Sequence, residues 1–370
     1  MSENETNFTS VIIYSNRTIS EIKDCIAKYY GHIKYELPFI NAVAVEIPQE
    51  NRKNIAHNKM ISRIYDDVAV SKTPIYKLKQ DISQGNSAST FYSSRGKGVG
   101  IAIIDTGVAP HYDLIKPINR IIAFKDFIGK KEIPYDDDGH GTHVAGIALG
   151  NGYSSRKYIG TSPCANLIAV KALDDMGNGT ASDILAGLQW VINNRKRYNI
   201  KVINLSLGIT VDENCEDDPL VKGAEAAVKH GITVIAAAGN NGPEKCTINS
   251  PGISPYVITV GATGFPPAVA KFSSKGPTHA GYIKPDLVAP GVDITSLSNK
   301  NPKGYAVQSG TSMATPIVSG VAACLYSSMP YLKPHEVKKI LMKKCLPLKK
   351  ESRNSQGHGL LNYEIFLNNS

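Results

Sequence analysis

The sequence predicts an α/β protein: a doubly wound, mostly parallel sheet preceded by a small α+β unit of ferredoxin-like order. Three observations predict it. From Val99 onward, short unbroken apolar runs rich in β-branched residues alternate with helical patterns. Residues 11 to about 70 read as β-α-β-β-α-β. Between them, residues 71–97 turn to Ser, Lys, Gln and Gly with little apolar periodicity, the signature of an exposed, cleavable junction. The 370 residues therefore divide into a small unit at 1–75, a linker at 76–97 and a main domain at 98–370.

In the small unit, VIIYS is the first strand. A helix follows, because Thr18 with Glu21 forms a capping-box pattern and Ile19, Ile22, Ile26 and Tyr29 recur on one face. HIKYE and INAVAVEI alternate like two strands, a short helical segment runs from about Gln49 to His57, and ISRIYDDVAV closes the unit.

In the main domain, VGIAII, LIAVKAL, KVINLSL, ITVIAAA and YVITVGA are short enough and apolar enough to be parallel strands buried on both faces. THVAGIALG, SDILAGLQWVINNRKRYN and LVKGAEAAVKHG lie between them as helices, and SMATPIVSGVAACLYSSM and HEVKKILMKKC follow. Right-handed crossovers then put helices on both sides of the sheet.

Composition removes several functions. No apolar run approaches the roughly 20 residues needed to span a bilayer. The formal charge of +9 is diffuse, and its densest patches, Arg195–Arg197 and Leu341–Lys350, carry no interleaved aromatics for base stacking, so a nucleic-acid surface is not expected. MSENETNFTS lacks the basic start and apolar stretch of a secretory signal, so a cytoplasmic chain is expected. The six cysteines form no zinc-like spacing and are expected to be reduced thiols; Cys215 and Cys246, both in loop-like stretches, are the pair with most scope to join.

Ligands of open α/β sheets bind beyond the carboxyl ends of the strands. VGIAII exits into Asp105-Thr106-Gly107, KVINLSL into Gly208, ITVIAAA into Gly239-Asn240, and a late segment delivers Gly310-Thr311-Ser312 to a helix start; His140 opens another helix on the same rim. Cutting an amide near neutral pH needs an activated hydroxyl, a base for its proton and an acid to orient that base, roles that Ser312, His140 and Asp105 fill. The Asn240 side chain and the Ser312 backbone N–H, at a helix amino terminus, are the candidate oxyanion donors. His143 invites a metal reading, but HGTH lacks the glutamate of HExxH, so none is expected. The acidic run Asp136, Asp137, Asp138 reads first as a solvated loop and second as help in holding the imidazolium of His140.

These segments make the chain resemble the subtilisin family: AIIDTGV around Asp105, DDGHGTHVAG around His140, AAAGNNG around Asn240 and SGTSMATPIVSGVAA around Ser312, with INLSLG, FSSKGPT and KPDLVAPG as secondary matches. The order Asp, His, Ser along the chain is the order known for that family. The likeness covers residues 98 to about 362. It implies a subtilisin-like fold, a serine endopeptidase acting on polypeptides, and a small unit that serves as an inhibitory, self-cleaved prosegment. It also implies that Ser206, Leu207 and Gly208 line one wall of the primary pocket, with Ala237, Ala238 and Gly239 on the other and Asn249 near its base. Gly177, Asn178 and Gly179 would pair with substrate backbone, flanked by Leu173 and Ile184 at a more distant apolar pocket. No acid stands at the pocket base, so a broad or apolar preference is expected. The chemistry needs no cofactor. Structural calcium is allowed for by Asp113, although loop GNGYSSRKYIG places Arg156 and Lys157 where oxygen ligands would be expected.

Two other readings use the same residues. One is a pseudoprotease that binds without turnover, held shut by an uncut prosegment; the other is a non-proteolytic α/β binding domain, which would want G-x-G-x-x-G or a P-loop after its first strand, whereas GKGVG lies before it.

Overall fold

The computed structural model describes residues 7–74, 95–211 and 218–362. The amino-terminal unit runs β1 (Phe8–Ser15), α1 (Ile19–Lys28), β2 (His32–Leu37), β3 (Ala42–Pro48), α2 (Asn51–Ala56) and β4 (Ile61–Asp66). Its four strands form an antiparallel sheet in the order β2-β3-β1-β4, as the βαββαβ pattern requires. The expected capping box starts α1: Thr18 accepts from the Glu21 N–H, and the Glu21 carboxylate accepts from the Thr18 N–H.

Both faces of this sheet are covered. Val11, Ile13, Val43 and Val45 pack with Ile22 and Ile26 of α1 in the unit's own core. Ile12, Tyr14, Ala42 and Ala44 point the other way, into a core shared with the main domain. That is why VIIY and AVAV are apolar at consecutive positions rather than alternating with polar residues.

The main domain is built on nine strands: β6 (Gly100–Asp105), β7 (Ile121–Asp126), β8 (Asn166–Lys171), β10 (Ile200–Leu205), β12 (Thr233–Ala237), β13 (Ile258–Thr263), β14 (Leu287–Pro290), β17 (Cys345–Leu346) and β18 (Leu360–Leu361). They lie in the order β17-β18-β14-β13-β12-β10-β6-β8-β7, and every pairing is parallel apart from β17 with β18. Alternate residues of β6 show how the sheet is used: Ile101 and Ile103 join the core under α4 (His140–Leu149) and α7 (Thr311–Ser328). Ala102 and Ile104 join the opposite core, under α5 (Ala181–Asn194) and α6 (Pro219–Lys229). The amino-terminal sheet sits on that second face. Lys34 pairs with Asp183 at 3.0 Å, and the Tyr35 hydroxyl donates to the same carboxylate at 2.8 Å.

Beyond β4 the chain forms β5 (Ala69–Lys72), which leaves its own unit and lies between β9 (Asn178–Thr180) and β11 (Leu207–Gly208), antiparallel to both. The expected junction at 76–97 falls largely outside the described residues, and so does Cys215. Among the described residues no helix is long and apolar enough to cross a membrane.

Candidate active site

Asp105 is the last residue of β6 and His140 the first of α4. The two elements meet closely, since a Cβ on Gly141 would collide with the Gly107 carbonyl. A helix start leaves N–H groups without intrahelical partners, and here side chains satisfy four in succession. Asp136 Oδ1 accepts from Gly139 N at 2.8 Å, Asp138 Oδ1 from His140 N at 3.0 Å, Thr106 Oγ1 from Gly141 N at 2.9 Å and Asp136 Oδ2 from Thr142 N at 2.8 Å. Asp136 also accepts from the Thr106 and Thr142 hydroxyls, tying the β6 exit to the α4 entrance. The expectation of a solvated loop is therefore corrected for Asp136 and Asp138, while Asp137 stays exposed. Asp136 is buried as a cap, Asp137 pairs with Lys171 at 2.6 Å, and Asp138 pairs with Lys72. Backbone N–H groups hold Asp136 and one oxygen of Asp138, lysines hold the other Asp138 oxygen and Asp137, and no sequence pattern distinguishes that from a surface loop.

With the helix start fixed, His140 Nδ1–H donates to Asp105 Oδ1 across 2.7 Å, and both side chains are buried. A carboxylate can only accept, so this bond puts the imidazole proton on Nδ1 and leaves Nε2 with its lone pair. Among the described residues Nε2 has no hydrogen-bond partner, nor has Asp105 Oδ2.

Ser312 is the second residue of α7 and is fully buried. Its hydroxyl is 2.8 Å from Thr73 Oγ1 and 3.0 Å from the Ser206 carbonyl. No hydrogen bond joins it to His140, whose Nε2 is without a partner among the described residues. Asn240 follows β12, and its Oδ1 accepts from both the backbone N–H and the hydroxyl of Thr311, each at 3.0 Å. That pair of bonds turns the amide so that Nδ2 points outward, where it donates to the Pro74 carbonyl at 2.6 Å. The structure thus brings the serine and the amide donor onto two consecutive residues at the end of β5.

The strand addition expected at Gly177, Asn178 and Gly179 is filled by β5. Val70 pairs with Gly179, Ser71 with Asn178, and Lys72 N donates to Gly177 O at 2.8 Å. On the other side Ser71 pairs with Gly208 and Lys72 with Leu207. Val70 is fully buried in the core that holds Leu173, Ile184 and Leu207, the expected distal apolar pocket. Thr73 is buried, and its hydroxyl lies 3.3 Å from Ser206 O. Ala237, Ala238, Gly239 and Asn249 form a separate wall: Asn249 N donates to Ala238 O at 2.9 Å, and Gly239, at φ +106, abuts the Asn249 side chain. Asn249 Oδ1 accepts from Asn241 Nδ2 at 2.8 Å. Thr73 and Lys72 were not legible as site residues from sequence: ISRIYDDVAV reads as one strand closing the small unit, whereas β4 ends at Asp66 and β5 goes to the cleft.

His143 lies inside the protein, with Nε2 between the carbonyls of Ile294 and Ala306 at 3.1 and 3.0 Å. Burial pushes its pKa down to about 3, against the pull of those carbonyls. Asp113 does not fit a calcium ligand here. Its Oδ1 accepts from Ser154 N at 2.8 Å and its Oδ2 from the Tyr305 hydroxyl at 2.8 Å, so protein donors occupy both oxygens. No metal-like cluster of His, Cys, Asp or Glu occurs among the described residues.

Comparison with known proteins follows the same residues. The profile of the Subtilase family matches residues 96–359. Serine protease AprX of Bacillus subtilis is 44% identical over 299 residues, covering 73% of this chain and 66% of that protein. The minor extracellular protease Epr of Bacillus subtilis is 30% identical over 98% of this chain and 55% of its own length. Subtilisin E of the same organism is 34% identical over 83% and 76%. Among solved structures, fervidolysin from Fervidobacterium pennivorans, described as a keratinolytic enzyme related to subtilisin, aligns over all of this chain and 62% of that one. Its TM-score of 0.78 at 23% identity is a likeness of fold. The chain thus spans two thirds or less of AprX, Epr and fervidolysin.

Proposed function

The chain belongs to the subtilase family of serine endopeptidases, and on that footing we propose that it cuts peptide bonds through an acyl-enzyme on Ser312 and is made as a self-processing zymogen. One observation carries the reading. The buried Asp105–His140 bond stands at the rim where Ser312 Oγ and Asn240 Nδ2 touch adjacent residues of a strand-bound peptide.

In the reaction, Ser312 Oγ attacks the scissile carbonyl carbon as His140 Nε2 takes its proton. Asp105 holds the Nδ1–H and balances the charge of the imidazolium. The carbonyl oxygen becomes an oxyanion facing Asn240 Nδ2 and the Ser312 N–H, donors already oriented before reaction. His140 passes its proton to the leaving amine. A water then repeats the sequence on the acyl-enzyme, giving its proton to His140 and returning the serine.

Residues 1–75 act as the inhibitory prosegment, with β5 occupying the cleft as a substrate would. Asn240 Nδ2 donates to the Pro74 carbonyl, which supports processing close to Pro74. When β5 withdraws, the Thr73 hydroxyl goes with it, and Ser312 turns to His140 by exchanging its one remaining acceptor, the Ser206 carbonyl, for Nε2. The pocket wall carries Asn249 rather than an acid, which supports a broad or apolar preference for the residue before the cut.

One observation favours a second reading, the pseudoprotease: Ser312 is bonded to Thr73 rather than to His140. A fluorophosphonate probe separates the two. Wild-type chain should shorten and then label, whereas Ser312→Ala should stay as one full-length band without label. A Ser312→Ala chain that shortens unaided overturns self-processing, and absence of label on shortened wild-type chain overturns the enzyme.

A further inference from the structure

We infer that Asp138 is a specificity-determining residue, selecting a long basic side chain at the substrate position that Lys72 now fills. The inference rests on the endopeptidase reading and names a preference within it. Lys72 and Asp138 pair with side chains 20% and 11% exposed, a largely desolvated contact next to the base. The neighbouring acids are otherwise engaged: Asp136 is spent on the α4 start, and Asp137 is neutralised by Lys171, itself 1% exposed. Asp138 alone of the three meets a cation brought by the cleft-bound strand.

Its geometry divides the work between two atoms. Oδ1 accepts from the His140 N–H, which fixes the carboxylate, while Oδ2 faces the Lys72 ammonium. The path to it is shaped for an unbranched stem. Gly177 stands at φ +79, and a Cβ there would strike Cγ, Cδ and Cε of Lys72. Gly177 O meanwhile holds the Lys72 backbone N–H at 2.8 Å, so stem and backbone are positioned together. A short or branched side chain would leave this channel unfilled and Asp138 Oδ2 without its cation, and an acidic one would meet like charge.

The test uses internally quenched peptides copying residues 69–78, AVSKTPIYKL, with position 72 as Lys, Arg, Ala or Glu. The enzyme is the full-length chain, left until its own shortening stops, as wild type, Asp138→Asn and Asp138→Lys. Since Asp138 also holds the His140 N–H, the readout is the ratio of kcat/KM values within each variant. Wild type should prefer Lys and Arg over Ala by roughly tenfold, with Glu lowest. In Asp138→Asn, which keeps the acceptor for His140, the ratio should collapse to within about twofold, and in Asp138→Lys the Glu peptide should overtake Lys. If these peptides resist cutting while casein is digested, their inhibition constants against casein hydrolysis should rank in the same order. Equal use of all four by wild type, or full discrimination retained by Asp138→Asn, overturns the inference alone. Failure to digest peptides and casein alike overturns the endopeptidase reading and the inference with it.

Discussion

Replacing Val70 by Ala should loosen β5 from the cleft without touching any group that reacts. Val70 is fully buried among Leu173, Ile184 and Leu207, so the substitution removes two buried carbon centres at about 0.8 kcal/mol each, or ~1.6 kcal/mol before any cavity cost. At 1.36 kcal/mol per decade this is a rise of roughly 15-fold in the population with the strand out. Hydrogen exchange of the 69–73 amides reads that population directly. The measurement belongs in a Ser312→Ala background, where the chain stays whole. Exchange there should quicken by about tenfold or more in Val70→Ala, while the amides of β6 and β10 keep their protection. Unchanged exchange at Lys72, whose N–H is bonded to Gly177 O, would refute the assignment of Val70 as the anchor.

Two further outcomes follow from the site. Asn240→Ala should lower kcat by about 100- to 1,000-fold with KM little altered, the loss typical of removing one oxyanion donor in an enzyme of this fold, as stopped substrate assays would read. His143 bears on pH. Its native pKa lies near 3 and its unfolded value near 6.5, so the native state refuses a proton that the unfolded chain accepts, and stability is lost as pH falls below 6.5. By pH 5 that amounts to about 2 kcal/mol. Urea midpoints of the Ser312→Ala chain between pH 7.5 and 5 should fall accordingly, and His143→Gln should flatten the slope. Buried His111, also shifted down, adds a share of the same sign, whereas Asp126 and Asp286, held below the usual carboxylate range, act at lower pH. Identical slopes with and without His143 would show that its burial is not what the acid limb reports.

Much of the fold was legible because periodicity reports burial directly. The unbroken runs VGIAII and ITVIAAA became β6 and β12, covered on both faces, and Thr18 with Glu21 capped α1 as written. The candidate catalytic residues stand at strand and helix ends, where short motifs are most distinctive. What sequence missed was tertiary. The apolar alternation-free stretch AVAV in β3 signals a sheet with two buried faces, but not what covers the second one, which is α5 and α6 of a distant segment. DDD before His140 reads as hydrated charge until the backbone of α4 is placed against it, and Thr73 has no motif at all. Its meaning comes wholly from being 239 positions from Ser312 in sequence and hydrogen-bonded to it in space.

The amino-terminal sheet, greasy on both sides, has a consequence for what happens after the chain is cut. Detached from α5 and α6, a unit this small would have to show water half of what it was built to hide, and it lacks the interior to compensate. It would therefore unravel soon after leaving, and an unravelled peptide beside a freshly opened protease becomes food. Under the proposed processing, maturation would run one way: the amino-terminal unit would not survive its own departure long enough to return.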